Sequence, residues 1–216
     1  MDYIVSTTLY LVKGMYTTLS LYFFTVIFSL PLSILFATLQ FSAPKFIKYI
    51  FEIYAWIFRG TPLILQLIFF YYGLPLMTNN AIAFPAFISA SITFILNYSA
   101  YLMEIFRAGI ESIEKGQYEA AYALNFNYIQ IMTRIILPQA IRRVLPPLSN
   151  EAINLIKDTA LVIVLGIGDL MLHARQILTR DYKLLPFLIA AIIYLLFTSI
   201  LVFIFRKLER KYVIRN

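Results

Sequence analysis

Three polar side chains stand out against an apolar background: Asn97, Tyr101 and Glu104, at i, i+4 and i+7. That spacing puts them on one face of a helix. A second stripe, Asn150, Asn154 and Asp158, carries Lys157 at its edge. Ionisable groups within long apolar stretches are expensive at membrane depth, so they face a polar interior and pair with something. Lys157 and Asp158 are neighbours, about 100° apart around a regular helix, and do not pair with each other. The expected pair is Glu104 with Lys157, which leaves Asp158 to meet a ligand or water. A small zwitterion suits the same groups, its ammonium at Glu104 or Asp158 and its carboxylate at Lys157. The competing account is structural: both stripes join helices through buried hydrogen bonds worth little each.

Several chemistries are excluded. The chain has no cysteine, so disulfides, thiolate metal sites and thiol nucleophiles are absent. Its single histidine, His173, cannot build a histidine metal cluster. None of the seven glycines belongs to a phosphate-cradling G-x-x-x-x-G-K-[ST] loop. No serine, histidine and carboxylate set has sequence support for hydrolysis. No metal or cofactor is expected, and any energy input has to come from a partner.

The elements that position the stripes are membrane spans. With 61% hydrophobic and 13% charged residues, the 216-residue chain reads as a single all-α integral membrane domain, 1–216. Residues 1–16 lack a signal peptide's charged start and cleavage site and are expected to lie on the membrane surface. A span needs roughly 20 apolar residues. Five spans are expected, at about 17–40, 56–76, 85–106, 144–168 and 184–205. Pro31 would bend the first. Gly73, Pro75, Asn79, Asn80 and Pro85 mark a hairpin between the second and third. Gly60-Thr61-Pro62 and Pro146-Pro147 would interrupt helices where irregular backbone can line a cavity, or simply kink them.

Lysines and arginines set the orientation. The outer connections would hold only Lys13, Arg175, Arg180 and Lys183, against Lys45, Lys48, Arg59, Arg107, Lys115, Arg134, Arg142, Arg143 and the basic tail inside. That bias places the N-terminus outside and the C-terminus in the cytoplasm. The net charge of +7 is therefore a topology and lipid-headgroup signal, and nucleic-acid binding is not expected.

The one long polar interval, Lys115 to Pro138, lies in a cytoplasmic loop expected at 107–143. Within it, Glu119 is expected near a helix start, where a carboxylate is favoured. Ala120 and Ala121 keep that turn thin, so another protein can approach. Tyr118 and Tyr122 fall four apart. Asn125 suits a left-handed turn, and Pro138 limits helix continuation. Glu119-Ala120-Ala121 followed by Asn125, Ile135, Leu137 and Pro138 is similar to the EAA signature of ABC-importer permease subunits, with Asn125 where Gly is usual. Arg59-Gly60-Thr61-Pro62-Leu63, Leu96-Asn97 with Ala100-Tyr101 and Glu104, Pro138-Gln139-Ala140, Leu145-Pro146-Pro147 and Lys157-Asp158-Thr159-Ala160-Leu161 extend the likeness. Together they resemble the polar amino-acid permeases of ABC importers.

The resemblance implies five helices per subunit, paired with a second permease, identical or homologous. It implies two copies of an ABC ATPase below, an extracytoplasmic substrate-binding protein above, and a bacterial inner-membrane location. Asn97, Tyr101, Glu104, Lys157, Asp158 and Thr159 would line or support an amino-acid site near the midplane, for glutamine or a basic amino acid such as arginine. Ala160 and Ser99 replace the family's frequent Ser and Gly there. Gly116, Gln117, Glu119, Ala120, Ala121 and Asn125 would couple to the ATPase. Alternatives are a permease for an osmolyte or peptide, and a gradient-driven transporter using Glu104 and Asp158. The missing internal repeat argues against the last.

Overall fold

The computed structural model describes residues 2–212, and every regular element among them is helical. Helix α1 (Asp2–Ser42) runs unbroken for 41 residues, about 60 Å at 1.5 Å per residue. Residues 2–16 of the expected surface segment are therefore the first part of the same helix as the apolar stretch 17–40. It is held upright by contacts that sequence spacing cannot display. Tyr3 donates to Asp181 Oδ2 (2.9 Å) and Tyr10 to Gln176 Oε1 (2.8 Å). At Gly14 the helix passes so close to Asp169 that a Cβ would stand 2.6 Å from its carbonyl oxygen.

Helix α2 (Lys45–Gly60) ends at Gly60-Thr61-Pro62, and the chain turns by 103° into α3 (Leu63–Ile68) and α4 (Leu74–Met77). Proline cannot donate a backbone hydrogen bond and disfavours helix in the residue before it. Thr61 is accordingly extended (φ −118°, ψ 146°). A hairpin with Asn79 and Asn80 in left-handed conformations leads into α5 (Ala86–Glu111), as the turn residues predict.

After α5 come α6 (Lys115–Ala123), α7 (Tyr128–Ile131) and α8 (Leu137–Asp158). Pro138 does not stop the helix. A wide π-turn, Met132–Ile136, precedes it, and Leu137 N–H reaches five residues back to Met132 O. Pro75 is accommodated in the same way, with a π-turn at Phe69–Gly73 and Leu74 N–H bonded to Phe69 O. Pro146 and Pro147 lie inside α8 and do not interrupt it. Both are exposed, and so are Arg142 and Arg143, whose carbonyls lose their usual donors. The change of backbone comes after Asp158, in a 3-10 segment (Thr159–Leu165) closed by left-handed Gly166. Helices α9 (Leu170–Asp181) and α10 (Leu185–Tyr212) complete the chain.

Three core clusters stack along the molecule. One joins Leu11 and Met15 of α1 to α9 and to Ala190 and Ile193 of α10. The next joins Leu21, Leu67, Phe94 and Leu155, and the third Ala37, Ala55, Phe106 and Val144. Passing from the first cluster to the third, residue numbers rise along α1 and α5, and fall along the α2–α3 pair and α8. Small buried residues on α1, Thr25, Ser29, Ser33 and Ala37, recur every four positions. This lets helix backbones approach closely, as at membrane helix interfaces.

Helices α1, α5 and α10 are long and apolar enough to cross a membrane, and the bent α2–α4 unit makes a fourth candidate. Helix α8 does not meet that standard among the described residues, because it carries Arg142, Arg143, Glu151, Lys157 and Asp158.

Candidate functional site

The bend between α2 and α3 creates both a cavity and a demand for hydrogen bonds. Side chains meet the demand. Gln66 Nε2 donates to Phe58 O (2.9 Å), Thr61 O (3.1 Å) and Thr61 Oγ1 (2.8 Å). Asn97 on α5 donates to Phe58 O and Gln66 Oε1, both at 3.0 Å. Asn97 is 4% exposed and both of its N–H donors are engaged. It lines the cavity while bracing the bend.

The cavity has a volume of about 450 Å³ and lies between the bend, α5 and α8. That volume falls within the ordinary range for small-molecule sites. Arg59, at the end of α2, stands at its rim. Its guanidinium is 3.5 Å from Glu104 Oε2 and 5.6 Å from the Tyr101 ring centre. Tyr101 OH donates to Arg59 O (3.4 Å). Asn97, Tyr101 and Glu104 thus turn together toward the end of α2, as their helical spacing predicts.

Helix α8 contributes Glu151, Asn154 and Asp158, and Tyr98 OH donates to Asp158 Oδ2 (2.7 Å). The inward stripe is therefore 151/154/158. Asn150 is exposed and outside the cavity lining.

The expected Glu104–Lys157 pair does not form. Glu104 Oε2 accepts from Arg107 Nη2 (2.8 Å) and Nε (3.2 Å), with Arg59 nearby. Arg107 also donates to both Glu111 carboxylate oxygens at 2.8 Å. With Glu151 and Asp158 turned inward, Lys157 points away, is exposed and does not line the cavity. Thr159 is fully buried, and its hydroxyl donates back to Ile156 O (2.7 Å).

Sequence reasoning missed Arg59, Tyr98 and Glu151 as cavity residues. Glu151 lies seven residues before Asp158, a usable signal. Arg59 immediately precedes a helix-breaking Gly-Thr-Pro, a second one.

At the opposite end of α5, the polar interval packs as a compact unit. Ala121 is buried in the core, and the Tyr118 ring stacks 5.8 Å from Phe41. Glu119 lies in the second turn of α6, whose N-cap is Glu114, so it does not occupy the helix start expected for it. Asn125 takes the left-handed conformation predicted for it, φ 58°. Asn127 and Gln130 form a reciprocal capping box at α7. Glu119 and Ala120 are exposed, beside Tyr122 (54% exposed), Leu124 (72%) and Ile129 (71%). Gly116 and Gln117 are also exposed.

Apolar helices around a solute-sized polar cavity, with a separate short helix whose outer surface is exposed, define a membrane transport subunit. The chain belongs to the family of binding-protein-dependent transport system inner membrane components, whose profile matches residues 14–214. It is 39% identical to the arginine transport system permease protein ArtQ of Bacillus subtilis over 203 residues, 94% of this chain and 92% of that protein. It is 40% identical to the glutamine transport system permease protein GlnP of Escherichia coli over 156 residues, 72% and 71% of the two chains. A solved amino acid ABC transporter with histidines aligns with a TM-score of 0.86 and 35% identity, over 96% of both chains.

Proposed function

We propose that the chain carries polar amino acids, glutamine or a basic amino acid such as arginine, through an ABC importer. In that reading ATP is hydrolysed on separate ATPase subunits. The observation that carries it is the charge layout of the 450 Å³ cavity, with Arg59 at one end and Glu151 and Asp158 along α8. Arg59 suits an α-carboxylate, which a guanidinium holds through parallel hydrogen bonds. The carboxylates suit an α-ammonium, and the second of them favours a cationic side chain.

Asn97, Tyr101 and Glu104 hold Arg59 and the bend in position. Asp158 meets the solute, and Lys157 and Thr159 shape the end of α8 without touching it. The stacked clusters, with chain direction alternating from element to element, support five crossings. The lysine and arginine bias supports an N-terminus outside and a C-terminus in the cytoplasm.

The family relationship implies an ATPase, a substrate-binding protein and a paired permease as partners. The assembly we favour has two permeases, identical or homologous, over two ATPase copies. The exposed surface of α6, with Gly116, Gln117, Glu119 and Ala120, and the Asn125 turn beyond it, would seat on the ATPase. Ala121 anchors the same helix to the core. Closure of the ATPase pair would then pull on α6 and switch the cavity between outward and inward access.

The test is uptake of labelled glutamine and arginine into proteoliposomes holding the complete complex and its binding protein. ATP-dependent uptake of one of them is the expected outcome. Uptake that survives ATP depletion and collapses with the ion gradient would contradict it.

A further inference from the structure

Arg59 borders three cavities at once: the 450 Å³ solute cavity and two others, of about 850 Å³ and 740 Å³, that open beyond it toward the C-terminal end of α5. Glu104 borders only the latter two. Its carboxylate therefore meets the guanidinium from the side away from the solute.

The contact is a loose one. Arg59 Nη1 stands 3.5 Å from Glu104 Oε2, and the guanidinium donates no hydrogen bond among the described residues. Tyr101 OH bonds the Arg59 carbonyl instead, which leaves the charged end of Arg59 with all its donors free. Glu104 is held more firmly. The same Oε2 takes hydrogen bonds from Arg107 at 2.8 Å and 3.2 Å, and the Glu104 side chain is 19% exposed against 43% for Arg59. When the two part, Arg59 moves and Glu104 stays with Arg107.

We propose that Glu104 is a built-in competitor for the solute's α-carboxylate and so sets how tightly the cavity holds a solute that carries one. A solute carboxylate forms parallel hydrogen bonds with the Arg59 fork. To do so it draws the guanidinium off Glu104. When Glu104 recovers Arg59, the solute loses its partner on the side that leads to the two further cavities. Glu104 is thus a positioning residue that acts through Arg59. Its role rests on the reading of Arg59 as the carboxylate-binding group of an amino-acid importer.

The test is binding of labelled L-arginine and L-glutamine to the complete nucleotide-free complex, with the unlabelled amino acids and their α-amides as competitors. The amides keep the ammonium and the side chain and lack the negative charge. Glu104→Gln should tighten amino-acid binding about tenfold, or 1.4 kcal/mol, and leave amide binding within about twofold. In an Arg59→Ala background the same substitution should change nothing, since no guanidinium remains to compete for. Plain repulsion between Glu104 and the solute would instead act with or without Arg59. Arg107→Gln works in the opposite direction: it leaves Glu104 to Arg59 alone and should weaken amino-acid binding, again only where Arg59 is present.

Tightening that survives Arg59→Ala, an equal gain for the amides, or no tightening in Glu104→Gln would overturn the competitor. So would wild-type binding indifferent to the α-carboxylate. If Glu104→Gln fails to assemble, Arg107→Gln decides, and unchanged or tighter amino-acid binding there contradicts the proposal. The import reading is judged apart from these results, by ATP-dependent uptake in wild-type proteoliposomes. Its failure there leaves the binding cycle between Arg59 and Glu104 to stand or fall by itself.

Discussion

Asn97 on α5 donates a 3.0 Å hydrogen bond to Gln66 Oε1 on α3, and the Gln66 amide donates in turn to the backbone oxygens of Phe58 and Thr61. Two side chains thus meet the carbonyl oxygens left without helix donors at Pro62, beside the cavity. Asn97→Ala should lower the stability of the detergent-solubilised complex by about 1 kcal/mol, the scale of membrane hydrogen bonds. Combined with Gln66→Ala, the losses should be non-additive. Thermal unfolding of the single and double variants measures the coupling.

Arg59 and Lys157 are the two cations the site could use, and they should behave differently. Arg59→Ala removes the guanidinium at the cavity rim and is expected to reduce uptake by about tenfold or more, the cost of losing a charge-assisted hydrogen bond. Lys157→Ala should leave uptake within about twofold, in keeping with the small effects of exposed substitutions. Uptake kinetics for the two variants, measured side by side, decide between them.

The exposed surface of α6 predicts a third result. Glu119→Lys reverses an exposed charge among exposed apolar neighbours. It should abolish co-purification of the ATPase and ATP-driven uptake, while membrane insertion stays intact because Ala121 and Tyr118 still anchor the helix. Pull-down through this chain, with a protease-accessibility check of topology, tests both halves.

Asp169 caps α9 through bonds from Leu172 N (2.8 Å) and Met171 N (3.2 Å) and is fully buried. Burial raises its carboxyl to about 6 against the pull of those N–H groups. A carboxyl raised in the folded state favours folding while protonated. Its contribution is complete below about pH 4, its ordinary value, and is lost as pH rises through 6. Asp181, held down to about 2 chiefly by its hydrogen bonds from Arg180, does not titrate in that window. The unfolding temperature should therefore decline between pH 4.5 and 7 by an amount that Asp169→Asn removes. Asp169→Leu should cost about 1 kcal/mol from the lost cap.

Much of this arrangement is legible in sequence because helical periodicity is rigid. Asn97, Tyr101 and Glu104 share a face wherever the helix packs, and Asn125 takes the left-handed turn its residue type allows. The bend at Gly60-Thr61-Pro62 follows from chain chemistry alone. What stays hidden depends on rotation and distance. Whether α8 turns Lys157 or Glu151 inward is decided by how it packs between α5 and α10. Arg59 reaches Glu104 through the packing of α2 against α5, just before the chain bends by 103°. Likewise Pro138 and Pro146-Pro147 read as helix breaks, but a π-turn absorbs the first and an exposed side of α8 tolerates the others.

The most direct test of the central claim is ATPase activity of the complex purified through this chain and reconstituted with its binding protein, across a panel of amino acids. An ATPase is expected to co-purify, glutamine or arginine to stimulate it, and Arg59→Ala and Asp158→Asn to blunt the stimulation while Lys157→Ala does not. No co-purifying ATPase, or stimulation indifferent to Arg59 and Asp158, would contradict it.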